Sequence, residues 1–161
     1  MVNTNVSHPT MFISTDSLLE HWQGHRRLTR RVIEMFPEDQ LFAFSIGGMR
    51  TFGDLANEML SMAGPMAHGL ATLAWGGYAP PKAPSKAEIL RLWDESTTKI
   101  NEFWTQIPVG RFQETLTSFG QYTGFGYWQI LYILDNEIHH RAQGYVYLRG
   151  LGVEPPPFWE R

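Results

Sequence analysis

The chain has no cysteine at any of its 161 positions. That absence excludes disulfides, cysteine nucleophiles and thiolate metal sites together, and it is compatible with a reducing cytoplasm. Long apolar runs are missing too. No stretch approaches the roughly 20 apolar residues of a membrane span, and the opening MVNTNVSHPT has neither a basic start nor an apolar core, so no secretory leader is expected. Charge is sparse at 18%, and a formal net charge of -3 gives no global pull toward nucleic acid. The sequence shows no Ser-His-Asp pattern with a nucleophile elbow, no internal repeat and no linker. These absences predict a cytoplasmic protein without nucleic-acid or membrane partners, whose chemistry, if any, depends on something other than a chain nucleophile.

What is present is a packed globule. Hydrophobic residues make up 43% of the chain and aromatics 14%, enough for one domain spanning residues 1–161. Four segments carry helical periodicity. In the first, 15–36, Leu18, Trp22, His25, Thr29, Val32 and Phe36 are spaced four, three, four, three, four, and Pro37 stops the helix. The second opens at Thr51, with Asp54 three residues on as a capping box. Its stripe is Phe52, Leu55, Met59, Met62, Met66, Leu70 and Leu73, with a kink expected at Pro65 and an end at Gly76-Gly77. The third opens at Ser85 with Glu88 in the same relation, presents Ile89, Trp93, Ile100, Phe103 and Ile107 inward, and closes at Pro108. The fourth covers 125–148 and ends at Gly150-Leu151-Gly152. Between the third and fourth, FQETLTSF alternates like a short strand. The tail GVEPPPFWER should run extended along the body, anchored by Phe158 and Trp159. Four such helices in one small domain predict an all-α four-helix bundle.

Polar residues on the inner stripes are the candidates for function. The fourth helix contains LDNEIHHRAQ, and Gln129, Ile133, Asn136, His140, Gln143 and Tyr147 repeat at four, three, four, three, four beside an apolar flank of Leu131, Leu134, Ile138 and Tyr145. A small rotation of the helix decides which stripe faces in. If the polar one does, its groups need partners, either hydrogen bonds within the core or a metal. His25 lies on the first helix's inner stripe, with His21 one turn before it but off the stripe; Glu58 sits beside Met59 at the edge of the second. In the fourth helix Asp135 and His139 share a separate face and are expected to support the structure. HRRLTRR places Arg26, Arg27, Arg30 and Arg31 on a solvated outer face, and Met59, Met62, Met66, Trp22, Trp93 and Trp128 read as core.

The residues EIHHRAQGYVYLRGLGVEPPPF in the last helix and tail, and RTFGDLANEML at the start of the second helix, resemble the DinB/YfiT-like superfamily of metalloenzymes. The resemblance covers nearly the whole chain and implies a four-helix bundle with a long crossover connection, often dimeric. Some members are thiol-dependent S-transferases or isomerases. The superfamily binds a divalent metal through three histidines, whose positions correspond here to Glu58, Asn136 and His140, so one of the three is histidine in this chain. The resemblance therefore implies zinc, nickel or manganese held by Glu58, Asn136 and His140, and the inward stripe of the first helix offers His25 as a further nitrogen donor. It implies a transferase or hydrolase acting on a small molecule such as a low-molecular-weight thiol, in a homodimer. The other outcome is a non-catalytic, stress-associated bundle whose metal site has degenerated into a hydrogen-bonded network.

Overall fold

A computed structural model describes residues 13–77 and 79–161; the opening stretch judged free of a leader lies outside them. Four helices follow in order, α1 (Thr15–Met35), α2 (Phe52–Thr72), α3 (Lys86–Trp104) and α4 (Gly126–Gly150). The link from α3 to α4 holds a 3-10 turn (Val109–Gln113) and an antiparallel hairpin of β1 (Thr115–Ser118) and β2 (Tyr122–Phe125). No helix among the described residues is long and apolar enough to cross a membrane.

The first three helices start where a hydroxyl can accept from an otherwise unpaired amide. Ser14, Thr51 and Ser85 each accept from the backbone N–H three residues on, at Ser17, Asp54 and Glu88. Such a cap contributes about 1 kcal/mol, and its signal is local, which is why the sequence locates these starts. Pro65 lies inside α2, and α2 ends at Leu73 in the left-handed conformation, φ 63°.

Helix α3 packs on both α1 and α2, and so does α4, which leaves α1 diagonal to α2 and α3 diagonal to α4. The pairings run α2 parallel to α3, with Asn57 beside Ala83 and His68 beside Phe103, and α3 antiparallel to α1, with Lys86 at Phe36 and Gln23 at Asn101. The result is an up-down-down-up bundle in which α2 and α3 run the same way, so the link between them, 73–85, spans the length of the bundle as its one long crossover connection.

Two apolar clusters fill the ends. One gathers Val32, Phe36, Phe52, Met59, Trp93 and Tyr147; the other gathers Trp22, Met66, Ile100, Trp104, Ile130 and Leu134. Between them on α1 and α4 runs a buried polar belt of His25, Arg26, Thr29, Glu137, His140 and Arg141. The polar stripe of α4 thus faces in, while Leu131 and Ile138 of the apolar flank are exposed.

Several expectations are corrected by this packing. Arg26 is 1% exposed: its guanidinium stacks 4.2 Å above the Trp93 ring and donates to Thr97 Oγ1 and the Trp93 carbonyl. Trp128 is half exposed, its ring lying over Gly124 of the hairpin rather than in the core. Phe158 and Trp159 are both exposed; the tail is held instead by buried Pro155 and Pro156 and by the Arg31–Glu160 ion pair.

Candidate metal centre

Glu58 lies in the second turn of α2, on the seam where α2 runs antiparallel to α4. Asn136 and His140 lie one turn apart on α4, so their side chains leave the helix in the same direction. His140 Nε2 stands 2.9 Å from Glu58 Oε1, Asn136 Nδ2 stands 3.1 Å from the same oxygen, and the two nitrogens are 3.2 Å apart. The second carboxylate oxygen, Oε2, accepts from Arg50 Nη1. Arg50 precedes the α2 cap, and the Tyr147 hydroxyl fixes its backbone by donating to the Arg50 carbonyl at 3.0 Å. Burial pushes the Glu58 carboxyl up, but hydrogen bonds from His140, Arg50 and Asn136 outweigh it and hold the pKa at about 2. Glu58 is therefore an anion under all ordinary conditions.

The three atoms form a nearly equilateral triangle: two edges are hydrogen bonds, from His140 Nε2 and Asn136 Nδ2 to Glu58 Oε1, and the third is a contact between the two nitrogens. With a proton on Nε2, the imidazole donates to Glu58 but keeps no lone pair there for the Asn136 amide. With Nε2 bare, its lone pair faces a carboxylate. No tautomer or amide orientation turns all three edges into donor–acceptor pairs. If the Asn136 carboxamide is turned, a reversal of O and N that is an assignment rather than an observation, the site offers one imidazole nitrogen and two oxygens to a common point. Neighbouring ligands of a six-coordinate ion stand about 3 Å apart, so the donor set fits a hard to borderline divalent ion on three sides. His140 Nδ1 is buried without a hydrogen-bond partner, so the usual support for a ligating imidazole is absent.

His25 does not join this site. Its Nδ1 lies 2.9 Å from Arg141 Nη2 and its Nε2 lies 3.0 Å from Arg161 Nη1. A neutral imidazole accepts at one nitrogen only, so one of these contacts is a hydrogen bond, and the two positively charged guanidinium groups exclude a cation from both edges. Burial, then the charges of Arg141, His21 and Arg161, lower its pKa to about 4. Among the described residues no group of three or more His, Cys, Asp or Glu side chains gathers as a metal site, since one corner of the triangle is an amide. His139 also departs from expectation: Gln143, not Asp135, is its partner, at 2.8 Å on the exposed side of α4.

Sequence reasoning missed Arg50 and the buried Glu137 cluster. Thr29 donates to Glu137 at 2.6 Å, while Arg26 and Arg141 flank the carboxylate at 3.9 and 4.0 Å. Burial pushes the Glu137 pKa up against the pull of Arg26, Thr29 and Arg141. The cluster ties α1 to α4 immediately behind Asn136 and His140 and fixes the rotation of α4. The available signal was that Arg26 and Glu137 each fall within one position of an inner stripe.

Among the described residues, cavities open on the surface of the bundle, two of which bear on the site. The larger, about 430 Å³, lies between α2 and α3 beside Arg91, Glu95 and Lys99, away from the triangle. The smaller, about 300 Å³, continues the α2–α4 seam one turn beyond it, where Met62 follows Glu58 and Tyr132 precedes Asn136.

A family model described as the DinB family matches residues 11–161. Among solved structures, the chain is similar to a DinB-like protein from Bacillus cereus, with a TM-score of 0.76 and 17% identity over 92% of this chain and 100% of that one. It is also similar to a DinB-like protein from Bacillus subtilis, with a TM-score of 0.74 and 18% identity over 89% of this chain and 97% of that one. No functionally curated protein sequence matches it.

Proposed function

The chain belongs to the DinB family, and from that footing we propose that it is a divalent-metal-dependent enzyme, a transferase or hydrolase, acting on a small molecule. Glu58, Asn136 and His140 would hold the ion, with manganese, nickel and zinc as the candidates and a low-molecular-weight thiol among the substrates. The observation that supports this reading is the convergence of an imidazole nitrogen, a carboxylate oxygen and a carboxamide within 2.9 to 3.2 Å of one another on the α2–α4 seam. When bound, such an ion supplies Lewis acidity, which brings a water or thiol toward deprotonation at neutral pH. The residues do the rest. Arg50 takes Oε2 and leaves Oε1 for the centre. Glu58 stays ionised, and the Thr29–Glu137–Arg141 cluster holds the helix that carries Asn136 and His140.

A non-catalytic bundle with a degenerated site is the second reading, and one feature favours it: Arg50 already neutralises Glu58. Elemental analysis of protein purified without a histidine tag separates the two. About one equivalent of metal, retained through dialysis or regained on adding manganese, nickel or zinc, supports the enzyme. Sub-stoichiometric metal that none of the three restores supports the degenerated bundle.

A further inference from the structure

The smaller cavity is lined on one side by Phe119, Tyr122, Trp128 and Tyr132, and on the other by Met62, Met66 and Ile133. Three of its four aromatic rings are far from buried: Tyr122 is 57% exposed, Trp128 51% and Tyr132 49%. Core packing does not explain rings so placed, since most of their surface is left in water. They stand as a wall facing two thioethers, which are polarizable partners for a ring.

The polar groups in the lining are nearly all committed elsewhere. Gln129 donates from Nε2 to the carbonyls of Leu116 and Gly124 and accepts at Oε1 from Ser118. Ser61 donates to the Glu58 carbonyl at 2.7 Å. The tyrosine hydroxyls and the Trp128 indole N–H are the remaining polar side-chain groups, and the lining contains no charged residue. A charged group would lose hydration here without finding a counter-charge. The volume, about 300 Å³, is roughly twice the ~150 Å³ cavity that holds benzene, so it suits one or two rings.

Direction along the seam supplies the orientation. Glu58, Met62 and Met66 follow one another at intervals of four on α2; on α4, Asn136, Tyr132 and Gln129 run back along the same face. We infer that this cavity receives the uncharged aromatic part of the substrate, and that the substrate's polar, reacting end points toward Glu58, Asn136 and His140. The inference names the substrate class for the site proposed above and rests on that reading only for the word substrate. The cavity itself makes no use of a metal.

The test is ligand-observed fluorine NMR on the full chain with 4-fluorobenzyl alcohol as the probe, alongside methyl spectra of the protein labelled at methionine. Binding should broaden the probe signal and shift the Met62 and Met66 methyls. A fluorodeoxyglucose of similar bulk should leave both unchanged. Trp128→Ala changes a half-exposed position, so the fold should survive, as an unchanged melting curve would verify; it should weaken probe binding about tenfold, the upper end for one lost aromatic contact. Met62→Phe, which fills the cavity from the opposite wall, should also block the probe. His140→Ala should leave probe binding intact while removing metal. Probe binding without metal uptake would retain the cavity and remove the metal; metal uptake without probe binding would overturn the cavity. Equal binding of probe and sugar, or binding insensitive to both cavity variants, would also overturn it.

Discussion

His25 and His140 are both buried imidazoles in the central belt, 5% exposed each, yet they face opposite charges. His140 meets the Glu58 carboxylate, and His25 meets the guanidinium groups of Arg141 and Arg161. With its pKa lowered from 6.5 to about 4, His25 is neutral in the folded state and must be charged in the unfolded one at mildly acidic pH. The folded state therefore binds fewer protons, and its stability falls as the pH drops from about 6.5 toward 4, by at most about 3 kcal/mol, and levels off below that. His25→Gln should flatten this window in urea titrations taken between pH 4 and 7. An unchanged slope would assign the acid sensitivity to other groups. Of the candidate residues, the meeting of Glu58, Asn136 and His140 was legible because helical spacing and the resemblance place them on one seam. The exclusion of His25 was not legible, because it depends on Arg141, whose inward aim follows from a rotation of α4 that polar periodicity alone leaves open.

Among the elements, α4 is the one whose facing was hardest to read, because its apolar residues are spread around the axis and its polar stripe is the buried one. Caps made the starts of α2 and α3 legible; α4 has no side-chain cap and begins directly from β2. The alternation in FQETLTSF did indicate β1, whereas β2 arises from its pairing, Thr117 opposite Thr123, and had no comparable pattern. What brings α4 close enough to α2 for Asn136 and His140 to reach Glu58 includes Gly144. A Cβ there would lie 2.5 Å from the Phe52 ring, which is fully buried and stacked on Phe36. Gly144→Ala gains helix propensity of about 1 kcal/mol, but the overpacking should outweigh it and lower stability by about 1–3 kcal/mol. Chemical denaturation gives the sign directly. A more stable variant would show that the α2–α4 spacing has slack and that the site's distances do not depend on this contact.

At the scale of the molecule, the four-helix bundle with its long crossover followed from four amphipathic segments and a family resemblance, but its surface did not. The apolar run LFAF, 41–44, between α1 and α2 is largely folded down: Leu41 is buried and the Phe42 ring lies over Gly53. Exposed apolar surface lies instead on the outer face of α4, at Leu131, Ile138 and Val146, and at Phe158 and Trp159 of the tail. Such a patch on a chain of this size favours a symmetric partner, so light scattering should give twice the 18.5 kDa chain mass at micromolar concentration. A mass of one chain across a wide concentration range would remove the dimer. The central claim concerns the triangle, and calorimetric titration of manganese, nickel and zinc into wild type, His139→Ala and His140→Ala measures it most directly. Wild type should bind one equivalent of at least one ion, His139→Ala should bind it with at most a modest loss, and His140→Ala should not bind. Equal affinity in wild type and His140→Ala would contradict the account.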